Sequence, residues 1–229
     1  MIERKLRISL SWDSAQAEGW HLLRDRTSSP ELMLNVVDFF VARHAGPNRQ
    51  LDRLEEVLIE SGSAYTVQCQ TQPYGLVRRV DPTVETAARS VMSRDDAPGR
   101  LLARAWIGTY GLHPNPSDGY RHAVRAAEAA AIPVVLPTDS GATLGRVIGA
   151  IRSQPKLWQV ALTHPDDPQQ PVNALVEMLT ALWRSQYDRH VDLSPEAPLH
   201  VSQEEAETAF HLAVTIVQWF TSGRVSRRP

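Results

Sequence analysis

Four stretches of apolar residues with helical spacing most constrain how the second half of this chain can fold. In each stretch the apolar residues repeat every three or four positions, which places them on one face of an α-helix. Start signals precede three of them: Asn115 with Pro116, then Thr143, then Ser202 with Glu205 as a capping box. The apolar positions are Tyr120, Ala123, Val124, Ala127 and Ala131; Leu144, Val147, Ile148 and Ile151; Val172, Leu175, Val176, Leu179, Leu182 and Trp183; and Ala206, Ala209, Phe210, Ala213, Ile216, Val217 and Phe220. Since this half reads as helices only, with no strand pattern among them, we predict a four-helix bundle.

Proline and glycine positions limit the helices of this half. Pro133 predicts that the first bundle helix ends or kinks there. A further helix is predicted from Leu101 to Tyr110, before the bundle. The glycines at 141 and 145 lack the lysine and the preceding strand of a phosphate-binding loop. We therefore interpret Gly145 as a close-packing position at a helix start.

The first half of the chain mixes helix and strand patterns. The predicted elements are a short strand at 8–12, helices at about 30–43 and 51–62, a β-hairpin within 64–80 and a helix from Asp81 and Pro82 to about Met92. The charged segment 93–99, broken by proline and glycine, predicts a domain boundary. The predicted fold is thus mainly α: a small α+β region at 1–95, followed by a helical bundle at 97–223.

The amino-acid composition excludes several classes of protein. The net charge is −2, so a broad basic surface that coats nucleic acid is excluded, and any RNA contact has to be local. The single cysteine, Cys69, cannot form a disulfide framework or a cysteine-based zinc site. No apolar run approaches the ~20 residues of a membrane span. We expect a cytoplasmic protein that does not bind a membrane.

The segment RSQYDRH, from Arg184 to His190, is the strongest candidate for chemistry. Six helical steps of about 100° would place the two side chains roughly 120° apart around the axis, so they would not converge on one continuous helix. Pro195 and Pro198 predict that the helix ends early. The two side chains can therefore meet if the helix ends between them, or if a second copy of the chain supplies the partner.

Spacing alone also allows a purely structural interpretation of this segment. Arg184 and Asp188 are four residues apart and could form an exposed helical ion pair, worth about 0.3–0.5 kcal/mol. Arg189 could complement the dipole at a helix C-terminus. His190 could be a solvated loop residue. These alternatives stay open at this point.

The arrangement resembles the HEPN ribonucleases of abortive-infection and toxin systems. An arginine, four to six residues and then a histidine, at the end of the third helix of a four-helix bundle, is the motif of that family. The stretches 119–131, 142–148 and 202–220 are similar to its first, second and last helices. The resemblance covers about residues 97–223.

The resemblance implies a metal-independent endoribonuclease of a bacterial phage-defense or toxin system. It implies an RNA substrate, a two-fold homodimer, an antitoxin or sensor protein as a further partner, and neither a metal nor another cofactor. The alternative is a catalytically inactive HEPN-like scaffold that binds a partner protein or a nucleotide. The implied catalytic residues are Arg184 and His190, and the supporting ones are Ser185, Tyr187, Asp188, Arg189 and Glu128.

Overall fold

A computed structural model describes residues 29–43, 46–69, 72–184 and 201–228. The strand predicted at residues 8–12 lies outside these ranges. Within them the chain is mainly helical, as predicted. The helices are α1 (Pro30–Val41), α2 (Arg49–Glu60), α3 (Pro82–Met92), α4 (Ala97–Tyr110), α5 (Pro116–Val135), α6 (Leu144–Ser153), α7 (Gln170–Arg184) and α8 (Gln203–Thr221). The strands are β1 (Tyr65–Gln68), β2 (Gly75–Arg78), β3 (Trp158–Val160) and β4 (Val225–Arg227), and a 3₁₀ turn spans Pro155–Leu157.

The chain divides into two compact units. The first comprises Met1–Arg79 with Tyr110–His113, and the second comprises Val80–Thr109 with Pro114–Pro229. Helix α3 belongs to the second unit, where it packs against α8. The division into domains at 1–95 and 97–223 stays a prediction.

The first unit is built around the predicted hairpin, in which β1 and β2 pair antiparallel. Helical carboxylates bind backbone N–H groups on both strands. Val67 N donates to Glu55 Oε2 at 2.8 Å, and Leu76 N donates to Asp38 Oδ1 at 2.7 Å. Arg79 also pairs with Glu55, at 2.9 Å. These bonds attach the hairpin to α1 and α2, because strand N–H groups left unpaired would be costly to bury.

The second unit contains the four predicted bundle helices, α5 to α8. Each packs against the next, and α8 returns to pack against α5, so the four close a ring. The residues at its centre are large and apolar, and nearly all of their surface is buried: Leu144, Ile151, Leu175, Leu179, Leu182, Phe210 and Ile216. Burial of this kind, at about 25 cal/mol per Å² of apolar surface, is the main force that holds such helices together.

One prediction for this half is wrong, because it contains strands as well as helices. Strand β3 pairs antiparallel with β4, with Trp158 opposite Arg227 and Val160 opposite Val225. Three residues are too few to show the alternation by which a strand is recognised in sequence. Strands β3 and β4 also lie more than 60 residues apart in sequence, so no local turn pattern indicates that they pair.

The helix starts follow the predicted capping residues. Ser202 and Glu205 form the capping box of α8, and Thr143 caps α6. Asp81 caps α3, since Thr83 N donates to Asp81 Oδ1 at 2.8 Å. This hydrogen bond lowers the pKa of the Asp81 carboxyl.

Helix α4 begins at Ala97, earlier than Leu101. The final residues of the predicted break are therefore helical. Pro98 is compatible with a first helical turn, where its missing N–H has no intrahelical partner. Gly99 N donates to Asp96 Oδ1 at 2.9 Å, which caps the turn. The aspartate that seemed to mark a loop thus serves as a helix cap.

Helix α5 continues to Val135, two residues beyond Pro133. A proline this close to a helix end removes one hydrogen bond without breaking a long downstream segment. In the described ranges, no helix is both long and apolar enough to cross a membrane.

Replacing Gly108 by alanine should destabilise the second unit. The added Cβ would lie 2.8 Å from both Cα and N of Gly119, which are backbone atoms that cannot rotate away. We expect a loss of about 1–3 kcal/mol in the free energy of unfolding, measured by urea denaturation. Gly149→Ala is the matched control, because nothing lies within 4 Å of its Cβ position. The control should be neutral or stabilising by up to about 1 kcal/mol. Equal stability of both variants would contradict the close approach of α4 and α5.

Candidate functional site

The last turn of α7 is held by side chains and backbone of the neighbouring bundle helices. Tyr120, on α5, donates its hydroxyl proton to the carbonyl oxygen of Leu182 at 2.9 Å. Trp183 packs on α6 at Gly145, where an added Cβ would lie 2.8 Å from Cζ2 of the indole. This confirms Gly145 as a close-packing position. Two helices therefore fix the turn in which α7 reaches Arg184.

A third contact connects α6 and α7 one turn earlier. Thr180, which is buried, accepts a hydrogen bond from Arg152 at 3.1 Å and donates one to the carbonyl of Val176 at 2.7 Å. Arg152 also reaches Glu177 at 3.4 Å. Together with the apolar packing, these polar contacts fix how α6 and α7 are aligned along each other.

Arg184 is the last residue of α7 that the structure describes, and only its backbone is described. The other motif residues, Ser185, Tyr187, Asp188, Arg189 and His190, lie outside the described residues. Their predicted roles stay predictions, and so does the meeting of Arg184 with His190. The described structure places the backbone of this arginine on the third bundle helix, directly after the turn held by Tyr120 and Trp183.

Glu128, predicted as a supporting site residue, has a definite contact in the fold. Its Oε2 accepts a hydrogen bond from the backbone N–H of Leu144 at 2.7 Å, at the first residue of α6. Thr143 Oγ1 accepts from Arg146 N in the same turn. A carboxylate at this position satisfies an N–H without an intrahelical partner and complements the helix dipole. This contact is structural, and a catalytic role for Glu128 stays a prediction.

A cavity of about 360 Å³ lies beside the end of α7. It is bounded by α5, α7 and the first turns of α8. Its lining combines apolar carbons with hydroxyl and carboxylate groups: Tyr120, Ala181, Leu182, Ser202, Glu204, Glu205, Thr208, Ala209 and Leu212.

The chemistry of this cavity does not suit phosphate. Glu205 is used in the capping box, where its Oε2 accepts from Ser202 N at 2.7 Å. Glu204 is exposed and adds a second negative charge to the lining. Carboxylates repel phosphate and attract cationic or hydroxyl groups. A phosphate next to this helix end would therefore have to be held by arginine rather than by the cavity.

Metal ligands do not cluster in the part of the chain that the structure describes. There, no three His, Cys, Asp or Glu side chains lie close enough together to hold a metal ion. The expectation that the protein works without a metal or another cofactor stays a prediction.

Sequence reasoning placed Tyr120 in the apolar stripe of α5 and missed its second role. Its ring is buried, and its hydroxyl bonds the end of another helix. The signal was available, because a tyrosine at a core position needs a partner for its hydroxyl group. The cavity had no comparable signal, since its lining comes from helices that are distant in sequence.

No protein-family model, curated protein or solved structure matches this chain. The chain's own residues and geometry therefore carry the functional inference.

Replacing Glu128 tests its structural contact with the start of α6. Glu128→Ala leaves Leu144 N–H without its acceptor, and we expect a loss of about 1–2 kcal/mol in the free energy of unfolding. Glu128→Gln keeps an oxygen acceptor and should retain most of that stability. Thermal and urea denaturation of both variants measure this. A glutamine variant as unstable as the alanine variant would show that the negative charge, and not the hydrogen bond, is what stabilises α6.

Proposed function

We propose that this chain is a metal-independent endoribonuclease of a bacterial phage-defense or toxin system, active as a two-fold homodimer. The observation that carries the proposal is the position of Arg184, whose backbone lies on the third helix of a closed four-helix ring. The preceding turn is fixed by Tyr120 and by the packing of Trp183 on Gly145. A rigid preceding turn suits a catalytic arginine, because small displacements of a reacting group lower the reaction rate strongly.

Arginine is suited to the phosphate of an RNA chain. Its guanidinium group stays charged at all physiological pH values and can donate two parallel hydrogen bonds to phosphate oxygens. In the proposed reaction, Arg184 stabilises the extra negative charge that develops on the phosphate in the transition state.

His190 is proposed to transfer protons. Histidine has an ordinary pKa of about 6.5, so both of its protonation states are available near neutral pH. One histidine cannot act as base and acid in the same step. We therefore propose that the homodimer brings two Arg184–His190 pairs to a shared cleft.

The proposed reaction balances as an internal transfer within the RNA. An unprotonated His190 takes the proton of a ribose 2′-hydroxyl group, and O2′ forms a bond to the adjacent phosphorus. The bond from phosphorus to O5′ of the next nucleotide breaks. The partner subunit's His190, protonated beforehand, gives its proton to O5′. The products are a 2′,3′-cyclic phosphate end and a 5′-hydroxyl end.

Purified protein incubated with total cellular RNA in EDTA should produce fragments with 5′-hydroxyl ends. Arg184→Ala and His190→Ala should each reduce the cleavage rate by about 10²- to 10⁴-fold, because each removes a group that acts in the transition state. Polynucleotide kinase labelling without prior phosphatase treatment identifies the 5′-hydroxyl ends. The rate should be greatest near the pKa of histidine, where one histidine is neutral and the other protonated.

Matched controls are an arginine and a histidine elsewhere on the surface. Arg100 is exposed and pairs with Asp95, and His113 is also exposed. Alanine at either position should leave the cleavage rate unchanged. Equal cleavage by the wild type and by both motif variants would exclude Arg184 and His190 as the active site. A folded dimer that cleaves no RNA would favour the inactive scaffold instead.

A further inference from the structure

A group of basic residues surrounds the short sheet of the second unit, away from the Arg184 motif in sequence. Lys156 lies in the 3₁₀ turn before β3, and Arg224, Arg227 and Arg228 lie in and around β4. All four side chains are exposed. We call this set the β4 basic surface.

Backbone pairing brings these residues together and fixes them. Ala161 N donates to Arg224 O, and Arg228 N donates to Leu157 O, both at 2.8 Å. The Arg228 side chain also donates from Nε to the carbonyl of Trp158 at 3.0 Å. The four cations are therefore attached to a hydrogen-bonded sheet rather than to a loose chain.

These charges are not neutralised by the part of the protein that the structure describes. There, none of the four basic groups lies within 4.0 Å of a carboxylate oxygen. Some exposed arginines elsewhere have such partners, namely Arg53 with Glu56, Arg94 with Asp96, Arg100 with Asp95, Arg121 with Asp118 and Arg146 with Asp139. Three others, Arg49, Arg104 and Arg125, are exposed without one among the described residues, but they lie singly on three different helices. In a chain of net charge −2, four such cations in and around one short sheet are a local concentration of positive charge. Such a group favours a polyanionic ligand.

The β4 basic surface lies toward the opposite end of α7 from Arg184. Gln169, just before α7, donates from Nε2 to the carbonyl of Pro155 at 2.8 Å, next to Lys156. Helix α7 then runs for 15 residues to Arg184. At about 1.5 Å per residue, the helix spans roughly 22 Å.

We infer that the β4 basic surface binds the phosphate backbone of single-stranded RNA, several nucleotides from the bond that is cut. The choice of RNA rests on the proposed function. At about 3.4 Å per stacked nucleotide, 22 Å corresponds to roughly six nucleotides. Two polar side chains of the sheet, Gln159 and Ser226, are joined at 3.0 Å and add hydrogen-bonding groups for sugar or phosphate.

An anionic membrane is the competing ligand for a basic surface. Leu162, two residues beyond β3, is 57% exposed and, among the described residues, is the exposed large apolar side chain nearest to Lys156 in sequence. Membrane binding by surface segments grows with the apolar area that enters the bilayer, and one leucine supplies little of it. The sheet therefore favours RNA over a lipid surface.

The test is equilibrium binding of a fluorescein-labelled 20-nucleotide RNA with 2′-O-methyl groups throughout. This probe cannot be cut by 2′-hydroxyl attack, so its binding does not depend on the proposed catalysis. Fluorescence anisotropy at salt concentrations from about 50 to 200 mM gives the slope of log affinity against log salt. The test variant combines Lys156→Gln, Arg224→Gln and Arg227→Gln, and keeps Arg228 because its side chain bonds the sheet.

The control combines Arg53→Gln, Arg100→Gln and Arg121→Gln. It removes the same charge from arginines that are already paired with carboxylates. The test variant should bind about 10- to 100-fold more weakly, and its salt slope should fall by about 2, since each lost phosphate contact on a single strand removes about 0.7. The control should bind like the wild type. Thermal unfolding of all three proteins checks that the folds are equivalent.

Three results would overturn the inference. The wild type could fail to bind RNA, the test variant could bind RNA as tightly as the wild type, or the test and control variants could lose the same RNA affinity. Binding to phosphatidylserine vesicles without binding to RNA would assign the surface to a membrane instead. If the RNA binds as predicted but unmodified RNA is not cut, the proposed ribonuclease fails while this surface stands.

Discussion

The attachment of the last turn of α7 is the interaction on which the functional account depends. This turn leads to Arg184. Its Leu182 carbonyl accepts a hydrogen bond from Tyr120, and its Trp183 side chain packs onto Gly145. Both contacts come from other helices of the ring, so the position of the arginine backbone depends on the whole bundle. The hydrogen bond from the buried Tyr120 hydroxyl to a main-chain carbonyl is a specific constraint, because the alternative is an unsatisfied hydroxyl group.

Much of the fold could be predicted from the sequence, because its signals are local. The capping box at Ser202, the cap at Thr143 and the Asp81–Pro82 start each fix a helix within one turn. The short sheet could not be predicted, since three-residue strands carry no readable alternation and pair over a long sequence separation. The start of α4 was misplaced because Asp96 and Pro98 are typical both of a loop and of a helix cap. Local sequence patterns predict helices well. They fail for short strands whose pairing depends on tertiary contacts alone.

The candidate site was less predictable than the fold. The sequence places the Arg184 motif at the end of a helix. The described structure has the Arg184 backbone on α7, and the place where this helix ends stays a prediction. Glu128 was chosen because it lies on the first bundle helix, yet its contact is with the start of α6, which no spacing rule connects to it. The β4 basic surface combines Lys156 with arginines about 70 residues later, and only the pairing of β3 with β4 unites them. Clusters formed by tertiary contacts need coordinates, whereas residue chemistry can be inferred from the sequence. The roles of Ser185, Tyr187, Asp188, Arg189 and His190 stay predictions from residue type and motif.

Two copies of the chain are proposed to share one ribonuclease site. The most direct measurement is the specific cleavage rate in EDTA across a dilution series, with the monomer and dimer fractions determined at each concentration by analytical ultracentrifugation. The account predicts that the specific rate follows the dimer fraction and falls toward zero as the protein becomes monomeric. Full specific activity in samples that contain monomers alone would contradict it, because a single histidine cannot serve as base and acid in the same step.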